Sequence, residues 1–444
     1  MGAENRAKYS TTHMAPRNNP SLLRPHPSSL SGALNGCLGC LDGPCIEKLL
    51  LHCAAALEAN DITVAQQVMW VLNNVASANG DPNQRLTVWF LRALIARASH
   101  LCPTALPFAL DGSSQSSRRP MTVTELAGYI DLTPWHRFGF SVANRAILQA
   151  VQGHRKVHIV DFSVTHCMQW PTLIDELAKR PQGPPVSLRI TVPSAHPPVP
   201  PSLNIATEEV GLRLMNFAKL RNIPLEFKVL KTNSPGNSLS FRQQLVTTPL
   251  DPSSLGLQDD EALIVNCHNW LRYLSGDSQG NDDNTRDSSS KDGFLEFIHG
   301  LNPTVVTMTD EDADLDTPSL SSRIMGCFNY LWILFDALET SFPKECPERT
   351  GYEANVGQKI ENIIRFEGSQ RIERSESGAR FAQRMRRAGF GGVLFDEETA
   401  RGVRVLLSEH ASGWGMKREE DMLVLTWKGH SSVFTSAWVP KVIS

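Results

Sequence analysis

The amino-acid sequence predicts an α/β fold: a mainly parallel sheet with helices on both faces, an all-helical block ahead of it and an antiparallel hairpin at its end. The first observation is a change of texture at His154. Before it, apolar residues recur at helical spacing; after it, short β-branched runs alternate with helical stretches. The second is that five such runs succeed one another, most of them separated by helix-forming sequence, as a parallel sheet requires. The third is a pair of apolar runs, residues 422–427 and 432–438, around Lys428-Gly429-His430, the pattern of a tight hairpin.

Taken in order, residues 1–43 are rich in Pro, Ser, Asn and Gly with no apolar period, and read as a disordered tail. From Pro44, the stripe Ile46, Leu49, Leu50, Cys53 and Leu57 marks a first helix, and Val64, Val68, Val71, Leu72 and Val75 a second. Leu86, Trp89, Phe90, Ala93 and Leu94 mark a third after the Gly80-Asp81-Pro82 turn. No strict heptad holds, so these helices pack as a bundle rather than a long coiled coil. Thr122 with Glu125 is a capping-box signal, and residues 142–151 form a further helix. The helical cap therefore spans mainly 44–152 and the α/β core 153–440. Strands are expected at 157–162, 187–192, 225–230, 262–267 and 304–309, and helices at 169–179, 203–221 and 320–341. Residues 275–292 hold no apolar side chain and read as an exposed insertion.

With 444 residues, 41% hydrophobic and 20% charged, the chain can support a large core, which rules out wholesale disorder. A formal net charge of −3 gives no global attraction to nucleic acid or anionic lipid, so any such contact needs a local patch. Nine scattered cysteines do not resemble a disulfide scaffold and point to a reducing compartment. No apolar h-region opens the sequence, and the most apolar stretch, 324–338, is interrupted by Asn329 and Asp336. A soluble intracellular chain without membrane contact is expected.

The run Val157-His158-Ile159-Val160-Asp161 ends in an acid before a helix, where a doubly wound fold would bind a nucleotide or S-adenosylmethionine. Such a site needs glycines for close backbone approach; the next residues, 162–170, contain none. Asp161 is then expected to brace the strand end, and no cofactor is assigned. There is no nucleophile elbow, metalloprotease helix or phosphate loop, and the histidines show no metal-ligand spacing. Cys37, Cys40, Cys45 and Cys53 lack a second paired knuckle and read as free thiols. Ser163, Thr165, His166 and Cys167 are adjacent in sequence, which is not the geometry of a nucleophile with its base. Arg380, Arg384 and Arg387 share one face of a predicted helix, with Arg371, Arg374 and Arg386 nearby, and are the candidates for contact with DNA phosphates. On the residues alone a solvated face of ion pairs is the preferred account of them, since Glu373 and Glu376 dilute the patch. Ile46-Glu47-Lys48-Leu49-Leu50 has the spacing of a groove-docking helix, although such a stripe ordinarily belongs to a core. Trp170, Trp414, Trp427 and Trp438 are expected to pack.

These residues resemble the plant GRAS family of transcriptional regulators, and within it the scarecrow-like group. Val157, His158, Ile159, Val160 and Asp161 match the VHIID motif, and Gln169-Trp170-Pro171-Thr172-Leu173 matches the stretch that succeeds that motif in the family. Phe328-Asn329-Tyr330, Asn362-Ile363-Ile364 and Arg371, Glu373 and Arg374 resemble the PFYRE region; Trp414-Gly415, Trp427-Lys428 and Ser436-Ala437-Trp438 resemble the SAW motif. The resemblance covers about residues 44–440. It implies a Rossmann-like, methyltransferase-like core under a helical cap, with no established catalysis. It also implies a nuclear location, homo- or heterodimerisation within the family, binding to other transcription factors including zinc-finger proteins, and for some members direct contact with double-stranded DNA. The alternatives are an S-adenosylmethionine-dependent methyltransferase-like enzyme and a pure scaffold without DNA contact. Two departures mark a divergent subgroup: Gly357-Gln358-Lys359 stands where many relatives carry Gly-Arg-Glu, and Ser163-Val164-Thr165-His166-Cys167 replaces a glutamine- and glycine-containing loop.

Overall fold

A computed structural model describes residues 42–101, 120–194, 197, 199–230, 252–274 and 290–441. The expected tail therefore lies outside the described residues except for 42 and 43, as does the insertion up to residue 289. Gly43 is not tail: it opens helix α1 (Gly43–Glu58), because the Asp42 carboxylate accepts the otherwise orphaned backbone N–H of Cys45 at 3.0 Å. At its far end the insertion reading also needs correction. Ser290 to Asp292 begin a helix, and Lys291, 1% exposed, is drawn inward by Asp316, Glu376 and the Arg374 carbonyl.

The cap starts with three helices whose leucine and valine stripes face one another: α1, α2 (Ile62–Val75) and α3 (Pro82–Leu101). In α4 (Val123–Asp131), Thr122 and Glu125 complete a reciprocal capping box. Helix α5 (Trp135–Ala150) starts seven residues earlier than its apolar period suggests, directly after Pro134.

Five parallel strands come next: β1 (Lys156–Asp161), β2 (Ser187–Pro193), β3 (Leu225–Leu230), β4 (Ala262–His268) and β5 (Val305–Glu311). They are joined by α6 (Trp170–Ala178), α7 (Thr207–Lys219), the short turn α8 (Pro252–Leu255) and α9 (Ser290–Gly300). Beyond them come α10 (Leu320–Ser341), α11 (Pro347–Arg365), α12 (Gly378–Arg387), β6 (Phe390–Val393) and α13 (Glu397–Ser408). A meander of β7 (Trp414–Glu419), β8 (Met422–Trp427) and β9 (His430–Pro440) ends the fold. The sheet runs β3-β2-β1-β4-β5-β9-β8-β7, with β6 on the far half of β9. Pairing is parallel through β5 and antiparallel from β9 onward. The C-terminal addition is thus a three-stranded meander plus β6 rather than a lone hairpin. β7 has polar or charged residues at Lys417, Arg418 and Glu419, so it carries no apolar alternation by which to find it.

One face of the sheet buries Val160, Phe162, Val265 and Met308 with Phe294 and Ile298 of α9 and Phe381 and Met385 of α12. α5 lies over β5 and β9 on the other face. α10 and α11 join the helical layer, α11 against α3 and α10 against α1 and α3. Two glycines permit close approaches of helices to their neighbours. A Cβ on Gly357 would sit 2.1 Å from the Trp89 ring, which seats α11 on α3; one on Gly139 would sit 2.5 Å from His268 Cε1 and 2.6 Å from Thr309 Cγ2.

Alanine normally outperforms glycine inside a helix by up to about 1 kcal/mol, but overpacking a closed interior costs about 1–3 kcal/mol. Because His268 and Thr309 are buried and belong to the sheet, Gly139→Ala is expected to lower stability, read as a lower urea midpoint. A raised midpoint would show that α5 stands further from the sheet.

Candidate functional site

The acid at the end of β1 is satisfied by protein. Asp161 is 2% exposed; its Oδ1 accepts from Ser163 N and Asn266 Nδ2, both at 3.0 Å, and its Oδ2 accepts from Trp170 Nε1 at 2.7 Å. Burial raises its pKa, against those hydrogen bonds, which lower it. The network continues inward: Asn266 Nδ2 donates to Gln169 Oε1, Gln169 Nε2 to Asn144 Oδ1, and Thr307 Oγ1 to Asn266 Oδ1. Asn144, Asn266 and Thr307 escape a sequence reading because single polar residues in apolar runs carry no periodic signal. The space left beside Asp161 is about 20 Å³, enough for a water and far too small for an adenosyl group. S-adenosylmethionine does not fit these residues. In the same turn His166 and Cys167 take positive φ (51° and 61°), the left-handed region where glycine is ordinarily found, and His166 Nε2 is bonded to the Pro201 carbonyl oxygen at 2.9 Å.

The other motif residues are also structural. His158 is fully buried between Glu261 (3.0 Å) and Thr191 (2.8 Å), and burial followed by the Arg189 charge lowers its pKa. Val157, Ile159 and Val160 are core. Trp427 donates to Asp336 of α10 at 2.6 Å, tying the meander to the helical layer, and Trp438 donates to Ser436 at 2.8 Å.

Helix α12 does put Arg380, Arg384 and Arg387 on one face, but they do not converge. Arg384 holds Glu376 (2.7 Å) and Asp292 (2.6 Å), hydrogen bonds that raise its pKa against the opposing effect of burial, and Arg380 stands 3.4 Å from Asp314. Arg386 is paired with Glu420 and Asp421, while Arg371 and Arg374 are buried on Asp316 and backbone carbonyls. Arg387 is exposed and has no carboxylate partner among the described residues.

A larger opening lies over the C-terminal ends of β4 and β5, the end at which open parallel sheets bind ligands. It is a cleft of about 340 Å³ between the helical layer and the sheet, bounded by α4, the start of α5, α10, α11, the turn after β4 and the 164–166 loop. Both departures from the family pattern meet here, since Val164, Thr165 and His166 line one side and Gln358 and Lys359 another. Tyr129 and Tyr352 stack beside it at 4.6 Å. At its base Arg272 joins Asp310 (2.5 Å) and Glu311 (2.7 Å), and Lys359 joins Glu311 and, at 3.6 Å, Glu373. The cations around Glu311 overcome the effect of its burial and lower its pKa to about 2; burial raises that of Glu373. Burial and Arg272 lower His136 to about 4, and burial with His136 and Arg272 lowers His268 further; the two rings stack at 5.7 Å.

The comparisons with known proteins agree with this architecture. The GRAS domain family matches residues 46–439. Scarecrow-like protein 32 of Arabidopsis thaliana is 46% identical over 404 residues, covering 90% of this chain and 95% of that protein. Protein SHORT-ROOT 1 of Oryza sativa subsp. japonica is 33% identical over 430 residues, covering 88% and 68%. The crystal structure of SCL7 from Oryza sativa superposes with a TM-score of 0.69 at 27% identity, covering 88% of this chain and 99% of that one.

Two outcomes are expected from the site. Trp170→Phe leaves Asp161 Oδ2 without its donor in a closed interior, and should cost about 1–3 kcal/mol in chemical denaturation; no loss would mean another donor reaches that oxygen. Because the folded pKa of His136 is depressed, the unfolded chain takes up a proton first, so its contribution is intact above pH about 6.5 and declines as pH falls toward 4, by about 1.4 kcal/mol per pH unit. His136→Gln should therefore show a shallower loss of stability than the parent between pH 7 and 5; parallel curves would show that His136 titrates alike in the folded and unfolded chain.

Spanning nearly its whole described length and sharing an α/β architecture with a solved relative, this chain belongs to the GRAS domain family of plant transcriptional regulators.

Proposed function

We propose that the chain acts in the nucleus as a transcription factor or co-regulator, through contacts with other transcription factors, zinc-finger proteins among them, and with a second GRAS chain. The observation that carries this reading is the engagement of Asp161 by Ser163, Asn266 and Trp170, which removes the small-molecule chemistry a strand-acid-helix turn would otherwise offer. On this reading the core is Rossmann-like, with β3-β2-β1-β4-β5 in a methyltransferase-like order, but it serves as a rigid platform rather than an enzyme. Calorimetric titration with S-adenosylmethionine is expected to give no saturable heat, and micromolar binding would overturn the reading.

Direct DNA contact through α12 is favoured by one observation, the exposed Arg387, without a carboxylate partner among the described residues and on the same helix face as Arg380. Arg384 is left out of the test because a carboxylate there would face Glu376 and Asp292. Arg380→Glu with Arg387→Glu is expected to weaken binding to a mixed-sequence DNA duplex and to reduce the log–log salt slope by about two, near 0.9 per phosphate contact. Unchanged affinity and slope would remove α12 from any DNA interface.

A further inference from the structure

The cleft over β4 and β5 has a charge imbalance at its base. Three carboxylates, Asp310, Glu311 and Glu373, face two cations, Arg272 and Lys359, and all five are largely shielded from water. The first two acids are satisfied: Asp310 and Glu311 each hold Arg272, and Glu311 also holds Lys359. Glu373 is the remainder. It is 5% exposed, its Oε2 accepts no hydrogen bond among the described residues, and the one cation among them in pairing range is Lys359, 3.6 Å away and closer to Glu311. A buried carboxylate without a donor is costly, and it is relieved either by taking a proton or by meeting a cation that brings its own N–H groups.

The rest of the cleft suits the second outcome. His136 Nδ1, on a ring kept neutral, has no hydrogen-bond partner among the described residues and can accept from an ammonium; it lines the same space as Glu373. Trp135, Tyr129 and Tyr352 supply aromatic walls, which attract cations as well as apolar groups. A volume of about 340 Å³ falls within the range of small-ligand pockets.

From this geometry we propose that the cleft between the helical layer and the sheet binds an organic ammonium, with its N–H groups on Glu373 and its apolar part against the Tyr129–Tyr352 stack and Trp135. The bound group bridges α11 and the segment after it to the ends of β4 and β5, so its occupancy stiffens the contact between the helical layer and the sheet. Subgroup selectivity then arises from the departures at Gln358, Lys359 and residues 164–166, which shape the walls of this cleft.

The same ammonium chemistry could reach the cleft as a free aromatic amine or as the lysine side chain of a partner. Calorimetry and thermal-shift measurements on the full chain with tyramine, with its carboxylate counterpart 4-hydroxyphenylacetate and with Nα-acetyl-lysine methylamide distinguish the sources. Saturable binding of tyramine, at least tenfold tighter than the acid, supports the site as one for a free amine. Preference for the lysine derivative over tyramine supports it as a socket for a partner's lysine. Equal binding of amine and acid, or no saturable binding of either amine up to millimolar concentration, overturns the proposal. Glu373→Gln keeps the shape and removes the charge; it should abolish the preference for amine over acid by at least tenfold while the melting temperature holds or rises. If that variant does not fold, the amine-to-acid ratio on the unaltered chain still decides, and the S-adenosylmethionine titration at Asp161 is independent of it.

Discussion

A carboxylate buried at the end of the first parallel strand, with both oxygens held by the protein itself, is the constraint on which the rest of the core depends. Asp161 cannot stay where β1 delivers it unless donors arrive from elsewhere. The indole of Trp170 therefore fixes the start of α6, and the amide of Asn266 fixes the register of β4 beside β1. Gln169 and Asn144 extend the same demand to α5, which then lies on the sheet with only a glycine between it and His268. Few directional bonds between otherwise apolar layers are enough to select one arrangement from many of similar hydrophobic content.

Filling that turn moves the open space of the molecule. With the space beside Asp161 reduced to the size of a water, one cleft opens on the other side of the switch point, over β4 and β5, where α4, α5, α10 and α11 close over the strand ends, and a second opening of about 780 Å³ lies between α5, α6 and α13. The helical layer is tied to the C-terminal meander by polar contacts, Trp427 to Asp336 and Tyr330 to the Ser432 carbonyl, beside the buried rings of Trp135 and Tyr330. An interface of this kind keeps its geometry while leaving room between the two layers.

Most of the architecture is legible from the sequence because it rests on local signals. The parallel strands are short β-branched runs, the α4 start is a capping box, and α10 runs from 320 to 341 as its apolar period predicts. Three features are not legible. α11 is amphipathic but punctuated by Gly351 and Gly357, and only the Trp89 ring explains why the second glycine belongs in a helix. β7 is polar along much of its length and becomes a strand by pairing with β8. The arginine cluster reads correctly as one helix face, yet the carboxylates that neutralise it come from Asp292, Asp314, Glu376, Glu420 and Asp421. Several of these are distant in sequence, and no periodicity could bring them together.

The motif residues are buried, whereas several of the residues that distinguish this chain line a cleft. Val157 through Asp161, Trp170, Trp427 and Trp438 are buried and their polar atoms are bonded within the protein, so replacing them acts first on folding. Among the positions that depart from the family pattern, Gln358, Lys359 and residues 164–166 line the cleft, while Ser163 and Cys167 are buried beside Asp161. A buried network tolerates little change because each member completes another's hydrogen bonds, whereas a cleft wall can change its chemistry at small cost to the fold. Divergence between members of such a family is therefore expected to collect where the scaffold is incomplete, and in this chain the gap between the helical layer and the ends of β4 and β5 is one such place.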